Sequence, residues 1–149
     1  MIPAEVKIKK LNENAVIPTR GSEYAAGYDL YACMDSNESI LIKPHQTVKI
    51  HTGIAMKLPA GYFGAVFARS GVATKRGLRP ANCVGVCDED YIGEVIVALH
   101  NDSNVEQMVV GGERIAQYVV IPYQTVAFTE VDELEETERG AGGFGSTGV

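Results

Sequence analysis

Short apolar or alternating runs, each cut off by turn residues, leave this chain little room for a long helix. Val6-Lys7-Ile8-Lys9 alternates as a strand does, and Asn12-Glu13-Asn14 breaks it. Further runs at Ser39–Ile42, Thr47–His51, Gly53–Leu58 and Tyr62–Ala68 are separated by Lys43-Pro44-His45 and Pro59-Ala60-Gly61. Val105–Val110 and Ile115–Ile121 flank Gly111-Gly112-Glu113-Arg114, Pro122 closes the second of them, and Phe128–Val131 is expected to add a last strand. Only Val72–Lys75 reads as a helix, a short one capped by Ser70. Many short strands between turns predict an all-β sandwich or barrel.

With 149 residues and 46% hydrophobic content the chain supports one domain with its own core. Its charge of −6 is uneven, because residues 130–149 hold six acids and one arginine. The rest is nearly neutral, which argues against a nucleic-acid-binding face. Cys33, Cys83 and Cys87 lack disulfide-framework spacing and read as reduced thiols. No apolar leader opens the chain and no run of about 18 apolar residues occurs, so a cytoplasmic protein with no membrane span is expected.

Chemistry concentrates between Asn82 and Gly93. Val84 and Val86 lead in, Gly85 and Gly93 flank Asp88-Glu89-Asp90-Tyr91, and Val95-Ile96-Val97 leads out, which predicts a hairpin with acids at its tip. In a regular strand Asp88 and Asp90 share a face that Tyr91 opposes, so a site using both Asp88 and Tyr91 needs a bend. A solvated acidic turn is the plainer alternative.

Three other stretches carry polar groups in unusual company. Asp29 is the one charge in the octet Ala25–Ala32, so it is either hydrogen-bonded structurally or holds something cationic. Arg69-Ser70-Gly71 places an arginine and a hydroxyl at a helix start, which suits an anion or simply caps the helix. The acidic run 130–138 reads as an extended connector to Arg139–Val149, where five of the ten residues from Arg139 to Gly148 are glycine. Gly140-x4-Gly145 is followed by Ser146 and the chain ends at Val149, so this is no Walker A loop. A phosphate grip by this tail requires that it close over a site built elsewhere.

Ala25–Ala32, Ala68–Gly71, Asn82–Gly93, Gly112–Gln117 and Arg139–Gly148 resemble, in order and spacing, the five motifs of the trimeric deoxyuridine triphosphatases (dUTPases). The resemblance implies a distorted β jelly roll, a homotrimer with active sites at subunit interfaces, and a flexible C-terminal arm. It divides the chain into a catalytic body (1–129), a connector (130–138) and a glycine-rich lid (139–149). It further implies Mg²⁺-dependent cleavage of dUTP to dUMP and pyrophosphate by water attack on the α-phosphorus, which limits uracil incorporation into DNA and supplies dUMP for dTMP synthesis.

By that resemblance Asp88 is the water-activating carboxylate, too weak a base to act without the metal's help. Asp29 reaches Mg²⁺ through water, which suits a cation that keeps most of its hydration shell. Arg69, Ser70, Gly71, Arg114 and Gln117 contact phosphates. Uracil is read by backbone groups between Asn82 and Asp88, Val84 and Gly85 among them, and Tyr91 packs on the deoxyribose and leaves no room for a 2′-hydroxyl. From the tail, Phe144 stacks on uracil while Arg139, Gly145, Ser146 and Thr147 cover the phosphates. Ala68, Cys87, Ile92 and Glu113 depart from the usual pattern without removing a needed group. Two rivals remain, a dCTP deaminase-like enzyme of the same fold and a nucleotide-sensing regulatory trimer. Cys83 and Cys87, beside the base-reading backbone, raise the question of inhibition by oxidation or alkylation, though packing roles are the simpler reading.

Overall fold

The structure is a computed structural model that describes residues 2–145. Eleven strands and one helix follow in the order β1 (Lys7–Lys10), β2 (Thr19–Arg20), β3 (Tyr28–Tyr31), β4 (Ser39–Ile42), β5 (Thr47–Lys57), β6 (Tyr62–Phe67), α1 (Ser70–Arg76), β7 (Leu78–Pro80), β8 (Gly85–Cys87), β9 (Glu94–Asn101), β10 (Gln107–Val110) and β11 (Arg114–Pro122). They form a sheet ordered β1-β5-β9-β7, a sheet ordered β2-β3-β11-β6-β8 and the pair β10-β4, every pairing antiparallel. The all-β, jelly-roll-like expectation holds.

Alternation decides what each strand buries. Along β9, Val95, Val97, Leu99 and Asn101 are buried while Glu94, Ile96, Ala98 and His100 face outward. Leu30, Ile42, Ile50, Leu99, Val109 and Ala116, drawn from all three sheets, are fully buried in one core. Burying a side chain of this size stabilises by about 1.5–3 kcal/mol. Buried Asn101 is fully partnered: Nδ2 donates to the carbonyls of Ile42 (3.0 Å) and Val105 (2.8 Å), and Oδ1 accepts from Ser103 N and Oγ.

Four local expectations need correction. Thr47–His51 and Gly53–Leu58 are one strand, β5, whose register against β9 breaks between His51 and Ala55 around Gly53 at φ 68°. Ser70 is not the cap of α1; it is the first helical residue, Arg69 occupies the cap position, and no side chain caps the helix. The helix ends at Gly77, which is left-handed (φ 67°) and donates its N–H to Ala73 O. Phe128–Val131 forms no strand, since the segment has no strand partner among the described residues and Phe128 is fully exposed. Finally, β8 and β9 are not a hairpin: β8 pairs with β6 in one sheet and β9 with β5 and β7 in another.

Candidate active site

The missing hairpin creates the first half of the site. Because β8 and β9 belong to different sheets, a cavity of about 270 Å³ opens beside them, lined by Asn82, Gly85, Val86, Cys87, Asp88 and Tyr91 together with Val66, Pro80 and the Glu94–Ala98 strand. That volume lies just below the usual range for small-molecule sites. Of the residues expected here, Asn82, Gly85, Asp88 and Tyr91 line the cavity, whereas Val84 does not. Pro80, Glu94, Ile96 and Ala98 were not anticipated. The period-2 pattern of β9, which puts Glu94, Ile96 and Ala98 on one face, was the signal that could have found three of them.

Local hydrogen bonds shape both rims. Before β8, Cys83 N donates to Pro80 O and Val84 N to Asn82 O (2.7 Å), a tight turn that puts Cys83 at φ 64°. Arg79 ties this turn down: its guanidinium is paired with Asp102 and donates to the carbonyls of Pro80 (3.1 Å) and Ala81 (3.3 Å). That pairing holds the Asp102 carboxyl below its usual range.

After β8, Tyr91 N donates to Asp88 O at 3.1 Å and closes the acidic turn. Glu89 is its anchor, for Oε2 accepts from Gly61 N (2.8 Å) and Tyr123 Oη (2.7 Å), and the Glu89 carbonyl accepts from Lys57 Nζ. The Tyr123 hydroxyl and then the Gly61 amide hold the Glu89 carboxyl below the ordinary carboxylate value. With Glu89 turned to the body, Asp88 is left exposed on the cavity wall. Tyr91 Oη in turn donates to Glu94 O at 2.6 Å. Cys87 is half-buried, and burial pushes its thiol up, which lowers its thiolate fraction and supports the packing reading. Cys83 is the exposed thiol.

The second half of the site gathers where β3, β11 and the end of β6 lie side by side. Asp29 pairs with Gln117 across β3 and β11, and Gln117 with Phe67 across β11 and β6. Asp29 is nearly buried and faces two arginines, with Arg69 Nε 3.1 Å from Oδ1 and Arg114 Nη1 3.5 Å from Oδ2. Arg69 Nη1 also donates to Arg114 O, and Gln117 Nε2 to Ala68 O at 2.9 Å. Gly27 makes room for this glutamine, since a Cβ there would come 2.3 Å from its Oε1.

Asp29 is therefore hydrogen-bonded structurally, and it orients two cations. One carboxylate against two guanidinium groups leaves an excess positive charge, which suits phosphate. Ala73 N donates to Arg69 O, so the amides of Ser70 and Gly71 have no acceptor within the helix. Behind them Arg76 fastens α1 by pairing with Glu113 and donating to Met108 O and Gln107 Oε1.

Among the described residues no group of three or more His, Cys, Asp and Glu could hold a metal ion. With its carboxylate already paired to Arg69 and Arg114, Asp29 suits contact with a hydrated cation through water and not direct ligation. The cavity beside β8 includes none of Asp29, Arg69, Ser70, Gly71, Arg114 and Gln117, so one chain presents a base-sized cavity and a cationic cluster as separate halves. The described part of the tail, residues 139–145, joins neither. Arg139 Nε donates to Gly142 O, Gly140 N to Thr137, and Phe144 is fully exposed at φ 52° with Gly145 following at φ 85°. Ser146 and Thr147 lie outside the described residues.

Known proteins share both sequence and shape with this chain. A family model described as dUTPase matches residues 13–148. A deoxyuridine 5′-triphosphate nucleotidohydrolase of Nautilia profundicola is 46% identical over 144 residues, covering 97% of this chain and 99% of its own. One of Desulfitobacterium hafniense is 50% identical over 134 residues, covering 89% of this chain and 87% of its own. Among solved structures, the Staphylococcus bacteriophage 80alpha dUTPase with dUPNHPP superposes with a TM-score of 0.83 at 30% identity, over 97% of this chain and 99% of that one. A mutant dUTPase from phage phi11 of S. aureus, which coordinates a structural Mg(II) ion, superposes with a TM-score of 0.79 at 25% identity, over 89% of this chain and 99% of that one. With a family match running nearly end to end and a closely superposing solved dUTPase, the chain belongs to the dUTPase family.

Proposed function

We propose that this protein hydrolyses dUTP to dUMP and pyrophosphate. The observation that carries the reading is the cavity beside the separated strands β8 and β9, walled by Asp88 and Tyr91 and by the edge strand β8, whose backbone pairs with β6 on one side only. Fixed backbone donors and acceptors suit the edge of one pyrimidine. Against cytosine, whose donor and acceptor are exchanged, they are left unpaired. Tyr91 packs on the sugar, and Asp88 accepts a proton from, or orients, the attacking water. Arg69, Arg114, Gln117 and the amides of Ser70 and Gly71 take the phosphates, offsetting charge on the departing pyrophosphate. Mg²⁺ on the triphosphate, when bound, supplies further charge neutralisation, with Asp29 holding its water shell.

Separation of the two halves within one chain supports a homotrimer in which neighbouring chains complete each site. The strand-free segment after Tyr123 gives the tail reach to such a neighbour. In that assembly residues 139–149 act as a lid, with Phe144 on the base and Arg139, Gly145, Ser146 and Thr147 over the phosphates.

Product analysis with dUTP, dCTP, UTP and dTTP, each with Mg²⁺, tests the reading. Release of dUMP and pyrophosphate from dUTP alone is expected. Loss of the amino group from dCTP, or binding of dUTP without turnover, would overturn it in favour of a deaminase or a nucleotide sensor.

A further inference from the structure

Tyr91 is 46% exposed, yet the hydroxyl end of its ring is held. Its hydroxyl donates to Glu94 O at 2.6 Å, and the ring lies over Gly93, where a Cβ would come 2.7 Å from Oη and 2.9 Å from Cε1. The position of the ring therefore follows the position of the Glu94 carbonyl.

Glu94 is the first residue of β9 and sits at a break in the sheet. It pairs with Ala55, and regular pairing resumes only at His51–Ile96, so the ladder alone leaves the start of β9 weakly fixed. Side chains take over at the break. Glu94 Oε2 accepts from Gly53 N at 2.9 Å, and Oε1 from His51 Nδ1 at 2.9 Å. A carboxylate has no hydrogen to give, so that imidazole nitrogen must carry the proton. Buried Thr52 adds a third tie by donating to Val95 O at 2.5 Å. Three successive β5 residues thus grip two successive β9 residues, immediately behind the wall that Tyr91 forms.

We infer that Glu94 is a positioning residue for sugar selection: its carboxylate, clamped to the β5 bulge by Gly53 and His51, fixes the carbonyl that fixes the Tyr91 ring. The inference rests on the dUTP reading above and deepens it. A ring free to swing leaves space beside the sugar, so the loss falls on discrimination between dUTP and UTP more than on turnover of dUTP. Neither Glu94 nor His51 has to touch the nucleotide for this to hold.

The test measures kcat/KM for dUTP and for UTP, with thermal midpoints, in the wild type and in Glu94→Ala, Glu94→Gln, His51→Ala, Tyr91→Phe and the Tyr91→Phe/Glu94→Ala double variant. Glu94→Ala is expected to lower the dUTP:UTP ratio by about tenfold or more, the scale of one lost positioning contact. Glu94→Gln should keep the ratio, because its Oε1 can accept from Gly53 N while its Nε2 donates to a neutral His51. His51→Ala, which removes one of the two ties, should give an intermediate loss. Because Glu94 acts through the Tyr91 hydroxyl, the double variant should be no less selective than its worse parent.

Wild-type selectivity in Glu94→Ala, or losses that multiply in the double variant, would overturn the assignment. Should Glu94→Ala fail to fold, His51→Ala with wild-type selectivity refutes it equally. A wild-type protein that turns over neither nucleotide overturns the dUTP reading and this one with it, whereas a selective wild type whose Glu94 variants stay selective overturns this one alone.

Discussion

Asp29 and Asp88 are both acids of the proposed site, but their surroundings predict opposite answers when each is changed to the isosteric amide. The Asp29 side chain is 13% exposed and faces Arg69 at 3.1 Å and Arg114 at 3.5 Å, whose side chains are 29% and 50% exposed. In Asp29→Asn, Oδ1 still accepts from Arg69, but the amide nitrogen meets the Arg114 donor, donor against donor. A charge-assisted bond contributes about 1.5–3 kcal/mol, whereas a half-exposed ion pair such as that to Arg114 is discounted to about 1 or less. The loss should be about 2 kcal/mol, or roughly 6 °C in Tm for a chain of this length.

The Asp88 side chain, by contrast, is exposed and has no hydrogen-bond partner among the described residues; only its backbone carbonyl is used, by Tyr91 N. Asp88→Asn should change stability by less than about 0.5 kcal/mol while slowing dUTP turnover about 100-fold or more. Differential scanning calorimetry and pyrophosphate release, run on the same preparations, separate the two. An unchanged Tm in Asp29→Asn would refute the ion-pair reasoning, and a wild-type rate in Asp88→Asn would remove Asp88 from the chemistry.

Glu89 should contribute to acid sensitivity. Its folded carboxyl titrates lower than when unfolded, so its stabilisation is complete above the unfolded value of about 4.3 and disappears as pH falls through the depressed folded value. Glu89→Gln should therefore lower the urea midpoint at neutral pH and flatten its acid limb; an unchanged pH profile counts against the Gly61 and Tyr123 bonds. Gly64→Ala would place a Cβ 1.7 Å from Tyr118 Oη, inside a core where that tyrosine is buried, and should cost about 1–3 kcal/mol in denaturant unfolding. Iodoacetamide at neutral pH should modify exposed Cys83 well before Cys87, as peptide mass mapping would show, with faster labelling of Cys87 as the contrary result. Removal of residues 139–149 should abolish most dUTP turnover and leave the circular dichroism spectrum and Tm of the body intact; full activity would refute the lid.

Much of the fold was legible because local patterns carry it. The runs Ser39–Ile42, Tyr62–Ala68 and Ile115–Ile121, with turn residues at their ends, predict β4, β6 and β11 at nearly the observed length. The short helix expected at Val72–Lys75 is found as α1, one to two residues longer at each end. The polar residues that break these patterns, Asp29 in an apolar octet and Asp88 to Tyr91 between glycines, marked the candidate site for the same reason: a charge in an apolar setting needs a partner or a task.

What the sequence could not supply is pairing. A strand's own residues state which face is apolar, but not which strand lies beside it, because pairing is settled by burial of inward faces over long separations. Only the tertiary structure therefore separated β8 from β9 and opened a cavity where a hairpin was expected. It joined two runs into β5 through the bulge at Gly53, and it left Phe128–Val131 without a strand to pair with among the described residues. It also resolved the partners of Asp29 as Arg69 and Arg114, which lie 40 and 85 residues along the chain and meet it only because β3, β11 and β6 are neighbours. Residue types and turn spacing determined what chemistry was at hand; long-range strand order determined which groups could act together.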